Sequence, residues 1–572
     1  MNVPKPNADG RRSSQADSLQ GRLFMIVQKQ FSTISALIID DMSVQQTTLR
    51  GQLSQIGISK VDVCANAEDA VRLIKSRRYN LILCDYNLNQ KTDGQQLFEH
   101  LRDSNLLPAD CLFFMVTAES AYASVASATE HHPDAYLLKP ITASHIEDRL
   151  KALLEKRDAL LPISQRLAKE DLMGAVLACD QILKTETRWT MAVLQIKGKT
   201  LLQLGKHEEA KQTYRQALDK RSNLPWAQLG QARAHKAAGE FDLARQLAQD
   251  IIQTPEGEKN VAAYDVVAES MDAQGDAQGA MWVLRDAAAV VPSARRQRLL
   301  GESAYRNGDL DTAKACLQKV AKATKGSVIA QPQDTLLLAQ TLTDLGESAD
   351  ALRVLDEGNK LYRSQPAFGS VALAIQAQAQ LKSGAAEEAE KTLKKARETL
   401  RKGKADFATV SLAKAELMAG FVGEGMKLLE TAVSADHENL RNRQMVGNVL
   451  RDTGHEGQID QVINAAVAIL QTRVQSARKL LRDNQIDEAV QAIETAVRDY
   501  PENTAVLLQA AQINCMALRL KKEFNSSIIE RVRVYLNRLE QLTPASDRVT
   551  MMKRYFRETL TGMASASVSA AH

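Results

Sequence analysis

The chain has 572 residues, more than one hydrophobic core usually serves, so its length predicts several domains or an extended repeat array. Apolar residues make up 44% of the sequence and charged residues 25%, and a net charge of +4 is too small to indicate nucleic-acid binding through general electrostatics. The six cysteines are scattered singly, a pattern that argues against a disulfide framework or a zinc site and is typical of a reducing cytoplasm.

Both ends of the chain are predicted to be flexible. Residues 1–30 form an N-terminal segment whose polar beginning lacks the apolar core of a secretory signal, and residues 563–572 form a second tail. No run of about 18 apolar residues occurs, so no membrane span is expected.

Residues 31–157 alternate between short apolar runs and helical patterns. The predicted strands are Ser35–Ile39, Lys60–Cys64, Leu81–Cys84, Cys111–Val116 and Ala135–Leu138. The predicted helices cover about residues 43–57, 67–77, 93–104 and 121–131, and a fifth begins near residue 143. Five buried strands that alternate with five helices predict an α/β doubly wound fold with a five-stranded parallel sheet.

A polar residue follows four of the five predicted strands. Asp40 and Asp41 follow the first, Asp85 the third, Thr117 the fourth and Lys139 the fifth. The carboxyl ends of parallel strands meet at one edge of the sheet, so these side chains are expected to converge there. Three converging carboxylates repel one another unless a hard cation such as Mg²⁺ binds them, and the lysine and threonine can contact phosphoryl oxygens.

This constellation resembles the receiver domain of bacterial two-component response regulators, a CheY-like domain with the flavodoxin-like fold, over roughly residues 33–157. The resemblance implies that Asp85 is the phosphoacceptor and that Thr117 and Tyr136 form the switch pair. It also implies that Lys139 contacts the phosphoryl group and that the Lys139–Pro140 peptide bond is cis. The implied Mg²⁺ ligands are Asp40, Asp41, Asp85 and the backbone carbonyl of Asn87.

Two stretches depart from the pattern of that family. The loop of residues 85–94 is slightly long and lacks the proline that often follows the phosphoacceptor, which puts its shape in doubt. His131 and His132 precede the fifth strand, in an approach where the family usually has a Gly-Ala pair. Neither change falls on an acceptor or metal position.

Beyond about residue 157 the strand pattern gives way to a helical period. A Gly or polar turn residue recurs about every 35 residues, usually followed five positions later by a small residue. The turn positions are Glu170, Gly205, Gly239, Gly275, Gly308, Gly346, Gly384, Gly420, Gly454 and Asn484. Residues 158–500 therefore resemble a tetratricopeptide array of about ten repeats, an all-α superhelical solenoid, with a plain helical bundle as the alternative. Trp189, Trp226 and Trp282 are expected to pack between helices.

Residues 501–562 continue as helix and are predicted either to cap the array or to serve as a docking or dimerisation element that would form a homodimer. The sequence contains no Walker A, GxSxG or HExxH motif and no convincing helix-turn-helix, so neither an enzyme in its own right nor a nucleic-acid-binding protein is expected.

The resemblances imply a cytoplasmic bacterial response regulator. A sensor histidine kinase or a histidine phosphotransfer protein would phosphorylate Asp85, and the array would bind an unidentified protein target under control of that phosphorylation. The alternatives are a constitutive scaffold in which phosphorylation is incidental and an antagonist that occupies a sensor kinase.

Overall fold

The computed structural model describes residues 31–88, 92–104, 106–108, 111–118, 133–185, 187–255, 257–400, 406–435, 440–521, 525–543 and 547–569. The predicted N-terminal segment and the predicted helix at 121–131 lie outside these residues. The chain divides into two compact units. The first consists of the chain up to Asp171 together with the short segment Ala323–Ala330. The second consists of Leu172–Lys322 and the residues from Gln331 onwards.

The first unit contains a five-stranded sheet in the order β2-β1-β3-β4-β5, with every neighbouring pair parallel. Its strands are β1 Ser35–Ile39, β2 Lys60–Cys64, β3 Leu81–Asp85, β4 Leu112–Thr117 and β5 Ala135–Leu138. Its described helices are α1 Ser43–Gln55, α2 Ala67–Ser76, α3 Gly94–Asp103 and α4 Ala143–Leu167. The predicted doubly wound parallel sheet is confirmed.

Helices cover both faces of this sheet, because the central strands carry apolar residues on both sides. Ile38 packs with Leu53 of α1 and Ile146 of α4 on one face. Ile39 packs with Phe98 of α3 on the opposite face. Neighbouring residues of a strand point alternately into the two cores, so both faces of the strand are apolar. Polar side chains are therefore found at the ends of the strands.

Helix α4 continues through residue 157, the predicted end of the first domain. The helix does not end there because its buried residues extend from Ile146 and Leu154 to Leu160 and Ile163. The first unit therefore extends to Asp171, beyond the predicted boundary.

The second unit is helical throughout its described residues, apart from the connecting turns. Its first eleven helices are α5 Leu172–Leu183, α6 Thr190–Gln203, α7 His207–Lys220, α8 Pro225–Ala237, α9 Phe241–Ile252, α10 Val261–Ala273, α11 Ala277–Val290, α12 Ala294–Arg306, α13 Leu310–Thr324, α14 Pro332–Asp344 and α15 Ser348–Leu361. The others are α16 Pro366–Lys382, α17 Ala386–Thr399, α18 Phe407–Met418, α19 Val422–Ala435, α20 Leu440–Asp452, α21 Ile459–Arg482, α22 Ile486–Asp499, α23 Thr504–Lys521, α24 Ser526–Leu542 and α25 Asp547–Ser569.

All ten predicted turn positions have a positive φ. Eight of them are glycines, which adopt this conformation at little cost at the end of a helix. Glu170 and Asn484 adopt it with φ of 56° and 61°. The predicted period therefore marks the ends of real helices.

Tyr214 shows how two neighbouring repeats pack. A Cβ atom on Gly198 of α6 or on Gly230 of α8 would come within 2.6 or 2.3 Å of the tyrosine ring, so both glycines make room for it. Trp226 packs edge-on against the same ring at a centroid distance of 6.3 Å. The expected inter-helix packing is wrong for Trp282, which is 57% exposed because its side chain lies on the outer surface of α11.

Helices α23, α24 and α25 share one core with the last repeat. Ile493 of α22 belongs to the same buried cluster as Leu507, Ile529 and Phe556 of these helices. They therefore cover the end of the array. Helix α25 extends to Ser569, past residue 562, because its last residues are mostly alanine and serine, with neither glycine nor proline after Gly562.

The six cysteines are buried and free. Within the described ranges, no helix is both long enough and apolar enough to cross a membrane.

Candidate functional site

Three carboxylates meet at the carboxyl edge of the sheet. Asp40 and Asp41 follow β1 directly, and Asp85 is the last residue of β3. Each can offer a carboxylate oxygen that lies within 4.8 Å of the other two. Asp40 is fully buried, Asp85 is 8% exposed and Asp41 is half-buried. The structure thus brings together the three acidic residues predicted from the strand ends.

The Asp40 carboxylate has one satisfied and one unsatisfied oxygen. The backbone N–H of Met42 donates to Oδ1 at 2.9 Å, whereas the buried Oδ2 accepts no hydrogen bond. Burial raises the pKa of Asp40 above its usual value, and the neighbouring Asp85 raises it further, while the Met42 N–H and Lys139 oppose the shift. A cation at this edge would bind the oxygen that accepts no hydrogen bond.

Lys139 extends into the acidic cluster from the end of β5. Its Nζ lies 3.0 Å from Oδ2 of Asp85 and 3.7 Å from Oδ2 of Asp40. Its backbone N–H donates to the carbonyl oxygen of Thr117 at 2.8 Å, and the Lys139–Pro140 peptide bond is cis. The ammonium group offsets part of the negative charge of the three carboxylates.

The donor set fits a hard divalent cation. Carboxylate oxygens are the ligands that Mg²⁺ prefers, and a few of them leave positions for water and a phosphoryl oxygen. Asp40, Asp41 and Asp85 would hold the ion, and it would neutralise their mutual repulsion. Asn87, whose carbonyl was assigned to the ion by resemblance, is an exposed residue just beyond β3.

Thr117 and Tyr136 lie on the two neighbouring strands. Thr117 ends β4 and is 1% exposed. Tyr136 is half-buried in β5, its buried hydroxyl has no hydrogen-bond partner, and burial raises the pKa of its phenol. The structure brings both residues to the same end of the sheet as Asp85, and their switch roles remain predictions.

Gln46 was not identified from the sequence. Its Nε2 donates to the backbone carbonyl of Asp40 at 2.7 Å, which ties α1 to the end of β1. The sequence offers no signal for this contact, because it depends on how α1 packs against the sheet.

Gly94 is the second residue whose role was missed. Its N–H donates to the carbonyl of Tyr86 at 2.8 Å, and a Cβ atom there would lie 2.1 Å from the carbonyl oxygen of Asp85. Asp93 and Gln96 form a reciprocal capping box around it. The spacing of Asp93 and Gln96 is a sequence signal for this helix start.

Parts of the two departing stretches lie outside the described residues. They are residues 89–91 of the loop and His131 and His132. Before β5, the Asp134 carboxylate accepts a hydrogen bond from the N–H of Phe113 at 2.8 Å, and the Asp134 N–H donates to the Phe113 carbonyl at 2.9 Å.

The family model of the response regulator receiver domain matches residues 36–151. The first unit contains a receiver domain. Similar curated proteins are a probable transcriptional regulator ycf27 of Porphyridium aerugineum, 29% identical over 122 residues, and the transcriptional regulatory protein AfsQ1 of Streptomyces coelicolor, 28% identical over 122 residues. Each match covers 21% of this chain, and it covers 48% and 52% of those two proteins, so the chain spans about half the length of these relatives.

The chemotaxis protein CheY-3 of Vibrio cholerae is 24% identical over 121 residues, which are 21% of this chain and 91% of that protein. The similarity to all three proteins is therefore confined to the receiver domain of this chain.

Three tetratricopeptide repeat models match residues 197–258, 299–323 and 335–357, so the second unit contains tetratricopeptide repeats. Similar solved structures include a tetratricopeptide repeat protein from Parabacteroides merdae, at 14% identity and a TM-score of 0.30, which covers 52% of this chain and 98% of that one. A second is the C-terminal part of a repeat-containing protein from Cytophaga hutchinsonii, at 13% identity and a TM-score of 0.30. That match covers 43% of this chain and 97% of that one.

Proposed function

We propose that this chain is a response regulator in which phosphorylation of Asp85 controls protein binding by the tetratricopeptide array. The observation that carries the proposal is the complete set of groups at the sheet edge. Three carboxylates lie within 4.8 Å of one another, Lys139 lies 3.0 Å from Asp85, and Thr117 ends the adjacent strand.

The phosphoryl donor would be a phosphohistidine on a sensor kinase or a histidine phosphotransfer protein. A carboxylate oxygen of Asp85 attacks phosphorus, the new O–P bond forms, and the P–N bond breaks with its electron pair leaving on the imidazole. Mg²⁺, when bound, supplies the positive charge that lets anionic donor and acceptor approach. The 8% exposure of Asp85 leaves its reactive edge within reach of a docked donor.

The phosphorylated state would recruit two groups already near Asp85. Lys139 exchanges its contact with the carboxylate for one with a phosphoryl oxygen, and the Thr117 hydroxyl donates to another. Tyr136 can follow without losing a hydrogen bond, because its hydroxyl has no partner to give up. The surface around β5 and the following helix would then change and alter binding by the array.

The proposal treats the chain as a signalling protein and not as an enzyme in its own right. A constitutive scaffold or an antagonist of a sensor kinase would use the same two units without control by phosphate. The intact acidic cluster favours the controlled form, since a receiver used only for docking has no need of Asp40, Asp85 and Lys139 together.

The test is phosphorylation of the full chain by a small donor such as acetyl phosphate with Mg²⁺. We expect acid-labile label on the wild type and none on Asp85→Asn, whereas Asp148→Asn, a change at an exposed aspartate of α4, keeps the label. Small-angle scattering with and without beryllofluoride, which stands in for the phosphoryl group, then tests control. Label on Asp85→Asn would overturn the site, and an unchanged scattering curve and unchanged target binding would favour the scaffold.

A further inference from the structure

The first unit includes a short segment that lies far along the chain from the rest of it. Ala323–Ala330, here called the latch, connects α13 to α14, yet it belongs to the same compact unit as the receiver domain. Gly326 has a φ of 71°, and the N–H of Ser327 donates to the carbonyl of Thr324 at 2.9 Å, so the latch contains a tight turn. Residues 327–330, which follow the turn, are half-buried.

Ser327 joins the latch to the loop that follows β3. Its Oγ lies 2.5 Å from Oγ1 of Thr92, in a hydrogen bond to which either hydroxyl can contribute the proton. The N–H of Ile329 donates to the same Oγ at 3.3 Å, which fixes the position of the serine oxygen. Because Thr92 is 1% exposed, removing Ser327 from it would leave a buried hydroxyl without this bond. The hydroxyl pair therefore holds the latch against the loop.

Val328 adds an apolar contact to this bond. It packs against the buried cluster on the sheet face that carries α2 and α3. Tyr86, which directly follows Asp85, and Tyr136, the predicted switch residue, pack against the same cluster. The latch and the predicted switch residue therefore share one apolar cluster, and a change in the position of Tyr136 alters the surface on which Val328 rests.

The loop that holds the latch is itself tied to the end of β3. Asp93, the neighbour of Thr92, caps α3, and the N–H of Gly94 donates to the carbonyl of Tyr86 at 2.8 Å. A movement of the backbone at Asp85 thus reaches Thr92 through hydrogen-bonded neighbours. Such a contiguous chain of contacts can carry coupling between two sites.

We propose that the latch is docked on the receiver domain while Asp85 is unphosphorylated and is released when Asp85 is phosphorylated. The proposal rests on the proposed phosphorylation of Asp85 and names the segment through which the array responds to it. The docked contacts occur together with the bond from Lys139 to Asp85, which the phosphoryl group would break. Release would free the connection between α13 and α14, because the latch is the chain that joins these two helices.

The test is hydrogen exchange of the full chain followed by mass spectrometry, with Mg²⁺ alone and with Mg²⁺ and beryllofluoride. The N–H groups of Ser327, Ile329 and Ala330 are hydrogen-bonded within the latch, so peptides that cover it report its release. Beryllofluoride should speed exchange of the latch by at least roughly fivefold, which is the lower end of typical coupling between two sites. Asp85→Asn should exchange at the docked rate under both conditions.

Two substitutions remove the hydroxyl pair from opposite sides. Thr92→Val and Ser327→Ala should each speed exchange of the latch without beryllofluoride by roughly two- to tenfold. The double variant should be little faster than either single variant, because one bond is lost in all three. Since coupling is reciprocal, each single variant should also bind beryllofluoride more tightly in calorimetric titrations. Ser364→Ala, an exposed position between α15 and α16, is the control and should change neither measurement.

Unchanged or slower exchange of the latch while beryllofluoride binds would overturn the release and leave phosphorylation of Asp85 standing. Additive effects of Thr92→Val and Ser327→Ala, or an equal effect of Ser364→Ala, would overturn the role of the hydroxyl pair. Absence of beryllofluoride binding to the wild type would instead contradict the proposed function, and the release would fall with it. Circular dichroism establishes that each variant is folded.

Discussion

Substitution of Gly94 by alanine should displace Asp85, the proposed phosphoacceptor, although Gly94 itself takes no part in the proposed phosphoryl transfer. An added Cβ atom would lie 2.1 Å from the Asp85 carbonyl oxygen and 3.1 Å from Sγ of Cys84. Because Cβ atoms essentially never approach other heavy atoms within 3.0 Å, α3 and the end of β3 must separate by about 0.9 Å. The hydrogen bond from the Gly94 N–H to the Tyr86 carbonyl, 2.8 Å long, would be strained by the same movement.

Overpacking of this kind costs about 1–3 kcal/mol of folding stability. A displacement of about 1 Å in a reacting group can lower a rate by roughly 10²-fold. We therefore expect Gly94→Ala to lower both the urea midpoint of the receiver transition and, by roughly ten- to hundredfold, its rate of phosphorylation by acetyl phosphate. Phosphate-affinity gels would follow the reaction, and circular dichroism would follow unfolding.

The matched control is Gly51→Ala in α1. No heavy atom lies within 4 Å of the position that an added Cβ would occupy, so this change should stabilise the helix by about 0.5–1 kcal/mol and leave the rate of phosphorylation unchanged. Wild-type stability and rate in Gly94→Ala would refute the reasoning, as would an equal loss of rate in Gly51→Ala.

Three further changes test the array. Lys414→Met should destabilise the array by about 3–5 kcal/mol in denaturant titrations, because buried Asp344 loses its cation. Adding Asp344→Asn should restore part of the lost stability. If the destabilisations of the two single variants simply added in the double variant, the pairing would be contradicted. Tyr214→Ala should lower the free energy of unfolding by about 3–5 kcal/mol, measured by thermal unfolding. In that background Gly198→Ala should be tolerated, because the tyrosine ring that the added Cβ would contact is absent. Burial raises the pKa of Glu302, so the Glu302→Gln variant should be more stable than the wild type at neutral pH. The difference in unfolding free energy should shrink on acidification, because the wild-type carboxyl then becomes protonated. A stability difference that does not depend on pH would contradict this prediction.

The candidate site could be predicted because its residues sit at strand ends. The alternation of buried runs places Asp40, Asp85, Thr117 and Lys139 at the carboxyl edge of a parallel sheet, and the strand order brings them together. Gln46 could not be predicted, because the side chain of α1 that reaches the Asp40 carbonyl depends on how that helix packs.

The array was predictable repeat by repeat but not in its long-range contacts. A turn residue with positive φ is a local property, and Gly205 or Asn484 signals it within a few neighbours. The bond from Asn448 to the Arg306 carbonyl joins residues 142 positions apart, and no local pattern encodes it. The predicted boundary at residue 157 falls inside α4, whose buried residues continue past it to Ile163.

The contact of α20 with α12 changes how the array is expected to lose its structure. In a linear repeat protein each repeat touches only its neighbours, so unfolding spreads from the ends and stability is a sum of local terms. Here the bonds from Asn448 and Gln444 to the Arg306 carbonyl, and the pairing of Arg441 with Asp272, link repeats that are separated by several others. Fraying of any repeat between α10, which carries Asp272, and α20 would loosen that link, so this segment should melt as one cooperative block.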